Sequence, residues 1–332
     1  MSDLIEWFEK SLTLEQRQEL VEYIRVPQAP READKAEVSI VHVGAVELLS
    51  RFPKSPVYED VFNLHTVFNK LAFGSAILLK GPKGTGKSLS GISWFINGKV
   101  PFMQLNCSEG TNKGDLQGCF FLRGRETPFS LGRVANIIQV ANEYGVAGLL
   151  LEEFNALPPP IQKMMNPALD FRRSIEVDVL GKSYALQPGK KLAIIATMNP
   201  STYGGTYDIN EDAKSRFIEL EIGYPPEGAE MKILRAVCGT VVSDDVLKKA
   251  IAFARDTRQQ GTSYSLSTRD LVEFVRTVEA FGIEGGLQII LHKFEGEDRK
   301  VAYKRMTSTW PSTVTSTLRK FWGSAEPPDV DK

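Results

Sequence analysis

Between residues 57 and 224, short apolar runs alternate with stretches whose apolar positions recur at helical spacing. The clearest runs are 76–80 (Ala-Ile-Leu-Leu-Lys), 102–106, 148–151 and 192–197. Nearly continuous apolar runs separated by helical segments predict a parallel sheet buried on both faces. After Tyr224-Pro225-Pro226 the strand pattern stops. Residues 228–292 instead carry helical periodicity, as in Met231, Leu234 and Val237, and again in Leu271, Phe274, Val275 and Val278. The expected organisation is therefore an α/β domain over 38–224 followed by an α-helical domain over 225–292. Before them, residues 1–37 read as a helical arm, with Leu4, Trp7, Phe8 and Leu12 on one face, and a linker containing Pro27 and Pro30. After them, residues 293–332 read as a tail, basic at first, then rich in Ser and Thr, and frayed at its end. A hairpin is expected over 175–186, turning near Gly181-Lys182, with Val177, Val179, Tyr184 and Leu186 on one packed face.

Composition narrows the setting. The chain has 332 residues, 42% hydrophobic and 24% charged, ordinary values for a globular protein. Forty Lys and Arg against 41 Asp and Glu leave a net charge of −1, which gives no electrostatic reason to expect nucleic acid as the partner. The three cysteines (Cys107, Cys119, Cys238) and three histidines (His42, His65, His292) are scattered, so neither a disulfide framework nor a zinc module is expected. No apolar run approaches the roughly 18–20 residues of a membrane span, and the first residues lack a signal-peptide pattern. A cytoplasmic protein is the expectation.

The strongest chemical signal is Gly81-Pro82-Lys83-Gly84-Thr85-Gly86-Lys87-Ser88, which fits G-x-x-x-x-G-K-[ST] at every fixed position. A predicted strand runs into it, and the amphipathic segment beginning at Leu89 leads out of it. Such a loop binds phosphate because glycines at Gly84 and Gly86 permit positive φ, turning backbone N–H groups inward. The following helix N-terminus adds its dipole. Lys87 is placed to reach the β- and γ-phosphates and Ser88 to ligate magnesium. A magnesium-bound nucleoside triphosphate is thus the expected ligand; the loop reads phosphates and not the base.

A second signal is the run 148–151 ending in Glu152-Glu153. In phosphate-loop enzymes one such acid holds the magnesium ion, commonly through water, and its neighbour polarises the attacking water. Here Glu152 takes the first role, where Asp is usual, and Glu153 the second. The extra methylene of Glu152 bears on metal distance and on hydrolysis rate.

These stretches, with several later ones, resemble the AAA+ ATPases, and within them the MoxR-like branch that includes CbbQ, NorQ and GvpN. Asp115-Leu116-Gln117-Gly118 followed by Phe129-Ser130-Leu131-Gly132 is similar to that branch's insert. The run into Met198-Asn199-Pro200 resembles its sensor strand, Ala213-Lys214-Ser215-Arg216-Phe217 the segment bearing an arginine finger, and Ser267-Thr268-Arg269-Asp270-Leu271 the sensor 2 motif of a helical lid. The resemblance covers residues 55–290 in the expected order. It implies a P-loop NTPase sheet flanked by helices, with a C-terminal α-helical lid. It also implies that Asn199 contacts the attacking water or γ-phosphate, that Arg269 couples the lid to the nucleotide, and that Arg216 acts in a neighbour's site within a homo-oligomeric ring, usually of six. The turn Arg123-Gly124-Arg125 would be a hairpin tip facing pore or substrate. Arg172 and Arg173 would face the neighbouring subunit.

The function expected on these grounds is ATP hydrolysis in a ring, coupled to remodelling or activation of a protein client, with a separate von Willebrand A domain protein as a possible partner. Two alternatives stand beside it. One is a nucleic-acid-linked motor similar to the GTP-using McrB subunit, kept open by the basic 123–125 tip and residues 293–304. The other is a nucleotide-gated scaffold with weak hydrolysis, kept open by Glu152.

Overall fold

The computed structural model describes residues 38–51, 58–200, 207–259 and 264–310. The helical arm expected over 1–37 and the last part of the expected tail lie outside the described residues. In chain order, the α/β part contains β1 (Ala76–Lys80), α1 (Lys87–Asn97), β2 (Phe102–Asn106), α2 (Arg133–Tyr144), β3 (Val146–Glu152) and α3 (Pro159–Leu169). It continues through β4 (Ser174–Val177), β5 (Lys182–Ala185), β6 (Lys191–Met198) and β7 (Phe217–Glu221). Five of these strands form one parallel sheet in the order β7-β1-β6-β3-β2. The four runs read from the sequence are its β1, β2, β3 and β6, and the fifth strand follows Arg216.

The continuous apolar character of these strands reflects burial on both faces. Ile77, Leu78 and Leu79 are all fully buried, as are Leu149, Leu150 and Leu151. Helix α1 lies close on one face, where a Cβ at Gly148 would sit 2.1 Å from the Phe95 ring and one at Gly91 would sit 3.2 Å from Leu150 Cδ1. Side chains alternate along a strand, so Leu149 and Leu151 fill the other face. All five strands end in the same direction, and at their C-terminal ends lie the phosphate loop, Glu152-Glu153 and Asn199.

The hairpin over 174–185 forms as expected, antiparallel, with Gly181 at φ +58°. Ile175 and Val177 are buried, but Val179 is 61% exposed. The reason is a short 3-10 turn at Asp178–Leu180, which breaks the two-residue alternation assumed for Val179. Residues 120–129, with the described residues 38–41, make a small unit of their own. There Arg123 and Glu126 exchange backbone hydrogen bonds of 2.9 and 3.1 Å around Gly124, at φ +65°, which is the tight turn expected at 123–125.

Helices α4 (Glu227–Cys238), α5 (Asp244–Gln259) and α6 (Thr268–Leu291) build the helical part, with Leu234, Leu247, Ile251, Leu271 and Phe274 in a common core. Helix α6 is interrupted at Gly282, where φ is +76°. The tail expected from 293 begins instead with a further helix, α7 (Gly296–Thr309). Ala302, Met306 and Trp310 recur every fourth residue and are buried in the same core, a pattern obscured in the sequence by the surrounding Lys, Arg, Ser and Thr.

One polar cluster ties three helices together. The buried Glu230 carboxylate of α4 accepts hydrogen bonds from Arg258 of α5 at 2.8 and 3.0 Å and from Thr268 of α6 at 2.7 Å. Arg258 also donates to the Leu266 carbonyl at 2.6 Å and lies 4.0 Å over the Tyr224 ring. The start of α6 is thereby fixed, and a reciprocal capping box between Ser267 and Asp270 completes it.

Candidate nucleotide site

The loop between β1 and α1 has the backbone its glycines allow. Gly84 and Gly86 take φ of +69° and +91°. Gly81 is required for a different reason: a Cβ there would meet the Ile222 carbonyl oxygen at 1.9 Å, because the chain leaving β7 passes directly behind it. A Cβ at Gly84 would meet Ser267 Oγ at 2.4 Å and Arg269 Cβ at 3.2 Å. The start of α6 thus packs against the phosphate loop, and Arg269 is brought to it by the Glu230 cluster at its base.

Lys87, at the first position of α1, is only 7% exposed. Its ammonium donates to the carbonyls of Gly81 at 2.7 Å and Pro82 at 2.6 Å, and to Asn199 Oδ1 at 3.2 Å. The amide of Asn199 in turn donates to Glu153 Oε1 at 3.2 Å. A continuous path of hydrogen bonds therefore runs from the phosphate loop to the acidic end of β3. Burial, and secondarily the nearby Arg269, pull the Lys87 ammonium down to about 8, against the opposing effect of Glu153. A lysine so placed is poised for an anion that supplies the missing negative charge.

Glu153 is held in the left-handed region at φ +55°, uncommon for a residue with a side chain. Its N–H donates to Thr197 Oγ1 on β6 at 3.2 Å, and Asn155 ties the next turn to the Asn199 carbonyl at 3.1 Å. Such a conformation costs on the order of 1–3 kcal/mol and persists where neighbours over-determine it. Here it turns the Glu153 carboxylate off the line of the strand and toward Asn199.

These groups open into a cleft of about 910 Å³, within the range of small-molecule sites. Lys83 to Leu89, Glu152, Glu153, Asn199 and Arg269 all line it. Gly81 and Pro82 stand just behind, presenting their carbonyls to Lys87. The remaining wall was not anticipated: Phe62, Ile92, Ile233, Val237 and Val272 give it an apolar side suited to a flat base. Val272 lies one turn beyond Arg269 on α6, a spacing that could have flagged it. Tyr58 and Phe62 precede β1 and carry no such signal.

Among the described residues, no group of three or more His, Cys, Asp or Glu is placed to hold a metal by itself. Magnesium in nucleotide sites takes most of its ligands from phosphate and water, so a small protein share fits it. Ser88 and Glu152 line the same cleft, and neither side chain forms a hydrogen bond or ion pair with a described residue. Both retain the oxygen lone pairs such a share needs. Both acids also lie near Cys107, whose thiol is pushed up to about 12 by burial first and then by Glu152 and Glu153.

Arg216 is elsewhere. It does not line the cleft, and its guanidinium bonds Asp170 at 3.3 Å and the Asp212 carbonyl. Arg172 shares that aspartate. Arg173, expected at a subunit contact, is buried instead and donates to the last carbonyls of α3, Ala168 at 3.0 Å and Leu169 at 2.7 Å. A helix end that lacks a glycine cap leaves carbonyls unsatisfied, and Arg173 supplies the donors.

The chain is similar to several known proteins. Residues 76–217 match the model of the AAA domain family, dynein-related subfamily. An uncharacterized protein of Staphylococcus haemolyticus is 28% identical over 258 residues, covering 74% of this chain and 94% of its own length. An uncharacterized protein of Staphylococcus epidermidis is 29% identical over 239 residues, covering 68% of this chain and 87% of its own. Among solved structures, the RuvB Holliday junction branch migration motor of Thermotoga maritima aligns with a TM-score of 0.47 at 15% identity, over 79% of this chain and 73% of that one. The parallel five-stranded sheet, the phosphate loop and the C-terminal helices are the AAA+ P-loop NTPase fold.

Proposed function

We propose that this chain hydrolyses Mg-ATP as a ring of identical copies and uses the cycle to remodel or activate a protein client, within the MoxR-like branch of the AAA+ ATPases. The observation that carries the reading is the hydrogen-bonded path Lys87–Asn199–Glu153 along a cleft that Arg269 also lines.

In this reading the backbone N–H groups of 83–88 hold the phosphates, and Lys87 exchanges its contacts with Gly81 and Pro82 for the β- and γ-phosphate oxygens. Ser88 and Glu152 would hold the protein side of a magnesium ion, which would supply neutralisation of phosphate charge. Glu153 accepts a hydrogen bond from the attacking water and polarises it, and Asn199 keeps the carboxylate and the water in register. Arg269 reports the γ-phosphate to the lid. Arg216, which lies off its own cleft, completes the site of a neighbouring copy, where a guanidinium stabilises charge on the transferring phosphoryl group.

The test is phosphate release from ATP and from GTP over a protein concentration series, with particle size followed alongside. Turnover of ATP should rise steeply as the ring assembles. Turnover independent of assembly would remove the shared site, and assembly without turnover would leave a nucleotide-gated scaffold. A preference for GTP would favour the McrB-like motor.

A further inference from the structure

The turn that follows α3 holds three charged side chains in four residues, and each is used differently. Arg173 takes a left-handed φ of +43° and spends its buried guanidinium on the end of α3. That anchors the turn. Asp170, at the C-cap, accepts the Arg172 N–H at 3.0 Å in an Asx-type turn. The Arg172 side chain grips that carboxylate from Nε at 3.0 and 3.2 Å and from Nη2 at 2.6 Å. Arg216 Nε joins the same oxygen at 3.3 Å, the longest contact of the set. Hydrogen bonds from Arg172 lead the groups that hold the Asp170 carboxyl down to about 2.

This is an arrangement for orienting a guanidinium without trapping it. A carboxylate bound to a single arginine loses its partner when that arginine leaves, and an unpaired, partly buried charge is expensive. Asp170 keeps Arg172 whatever Arg216 does. Arg216 is meanwhile confined by Asp170 on one side and the Asp212 carbonyl on the other.

We propose that Asp170 is a positioning residue for Arg216, holding its guanidinium ready for the nucleotide site of a neighbouring copy, and that Arg172, bound to the same carboxylate, lowers the cost of its release. The inference rests on the trans role of Arg216 proposed above, and the experiment separates the two. Donor subunits carry Glu153→Gln, which disables their own site but leaves Arg216. Acceptor subunits carry Arg216→Ala, which keeps their own site but supplies no guanidinium. Turnover in mixed rings, confirmed by co-purification, then reports only Arg216 delivered from donor to acceptor.

Adding Asp170→Asn to the donor should cut that turnover about tenfold with the KM for ATP unchanged, a small part of the roughly 10³–10⁵ an arginine finger can contribute. Asparagine keeps the Asx-type turn, so the change removes the charge and not the fold. Asp170→Glu in the donor should restore part of the loss. Arg172→Ala in the donor should lower turnover about threefold, since Asp170 then holds Arg216 alone. The same Asp170→Asn placed in the acceptor, which has no Arg216, should change nothing. Equal losses from donor and acceptor would mean that Asp170 is merely structural, and no loss from the donor would also overturn the inference; in both cases the trans reading survives. No turnover in the mixed rings before Asp170 is changed would overturn both.

Discussion

The two ends of the machinery are built on opposite principles. In the cleft, charged groups are interlocked: Lys87 is buried, satisfied by two carbonyls and Asn199, and Asn199 is bound again by Glu153. At the edge formed by residues 170–173 and 216, two guanidiniums share one carboxylate, and the weaker holder is Arg216. The first arrangement suits groups that must stay fixed while charge develops, because preorganised donors need not reorganise during reaction. The second would suit a group that moves, as the trans role proposed for Arg216 requires.

Breaking the interlocked end should give the largest effects. Lys87→Ala should weaken nucleotide binding by about two orders of magnitude or more, the scale of losing one partner of a buried charge contact. Glu153→Gln should instead bind ATP normally and lose about 10²–10⁴-fold in turnover, the usual contribution of a positioned general base. Titration with a fluorescent nucleotide and single-turnover hydrolysis separate the two. If Glu153→Gln hydrolyses as fast as the parent, the path through Asn199 is structural and the base must be sought elsewhere.

The next effect tests whether the lid is positioned from its base. Glu230 is fully buried, and removing it strands Arg258 and Thr268. Glu230→Ala should destabilise the chain by about 3–5 kcal/mol, the cost of breaking one partner from a buried pair. It should also raise the KM for ATP, because Thr268 adjoins Arg269 at the start of α6. Urea unfolding gives the first quantity and steady-state kinetics the second. Loss of stability with an unchanged KM would detach the cluster from the site.

How much of this could be read from the chain follows the range of the interactions. The phosphate loop, the acidic strand end and four strands were legible because each is a local pattern: 81–88 is one motif, and Ile77, Leu78 and Leu79 are consecutive. Arg173 was misplaced because its partners are carbonyls of the preceding helix, which no side-chain pattern advertises. Val179 was misplaced by a 3-10 turn that shifts the phase of the alternation. The apolar wall from Phe62, Ile233 and Val237 was invisible because its members lie on segments far apart in sequence. The Glu230–Arg258–Thr268 cluster joins three helices and was hidden for the same reason.

The smallest effect sharpens the comparison through pH. Lys87 sits at about 8, well under its ordinary value near 10.5, so in the free protein it is cationic below that point and increasingly neutral above it. A bound triphosphate favours the cation and restores the higher value. Below pH 8 the lysine is charged before and after binding, and affinity should be flat on its account. Above pH 8 binding must take up a proton, so affinity should fall by up to about tenfold per pH unit, levelling off near the restored value. Calorimetry in two buffers of different ionisation enthalpy reads that proton directly, with uptake expected at pH 9 and little at pH 7. If binding proves flat to pH 9, Lys87 is held in its charged form by the carbonyls of Gly81 and Pro82 more strongly than burial opposes it, and the interlocked end is tighter still.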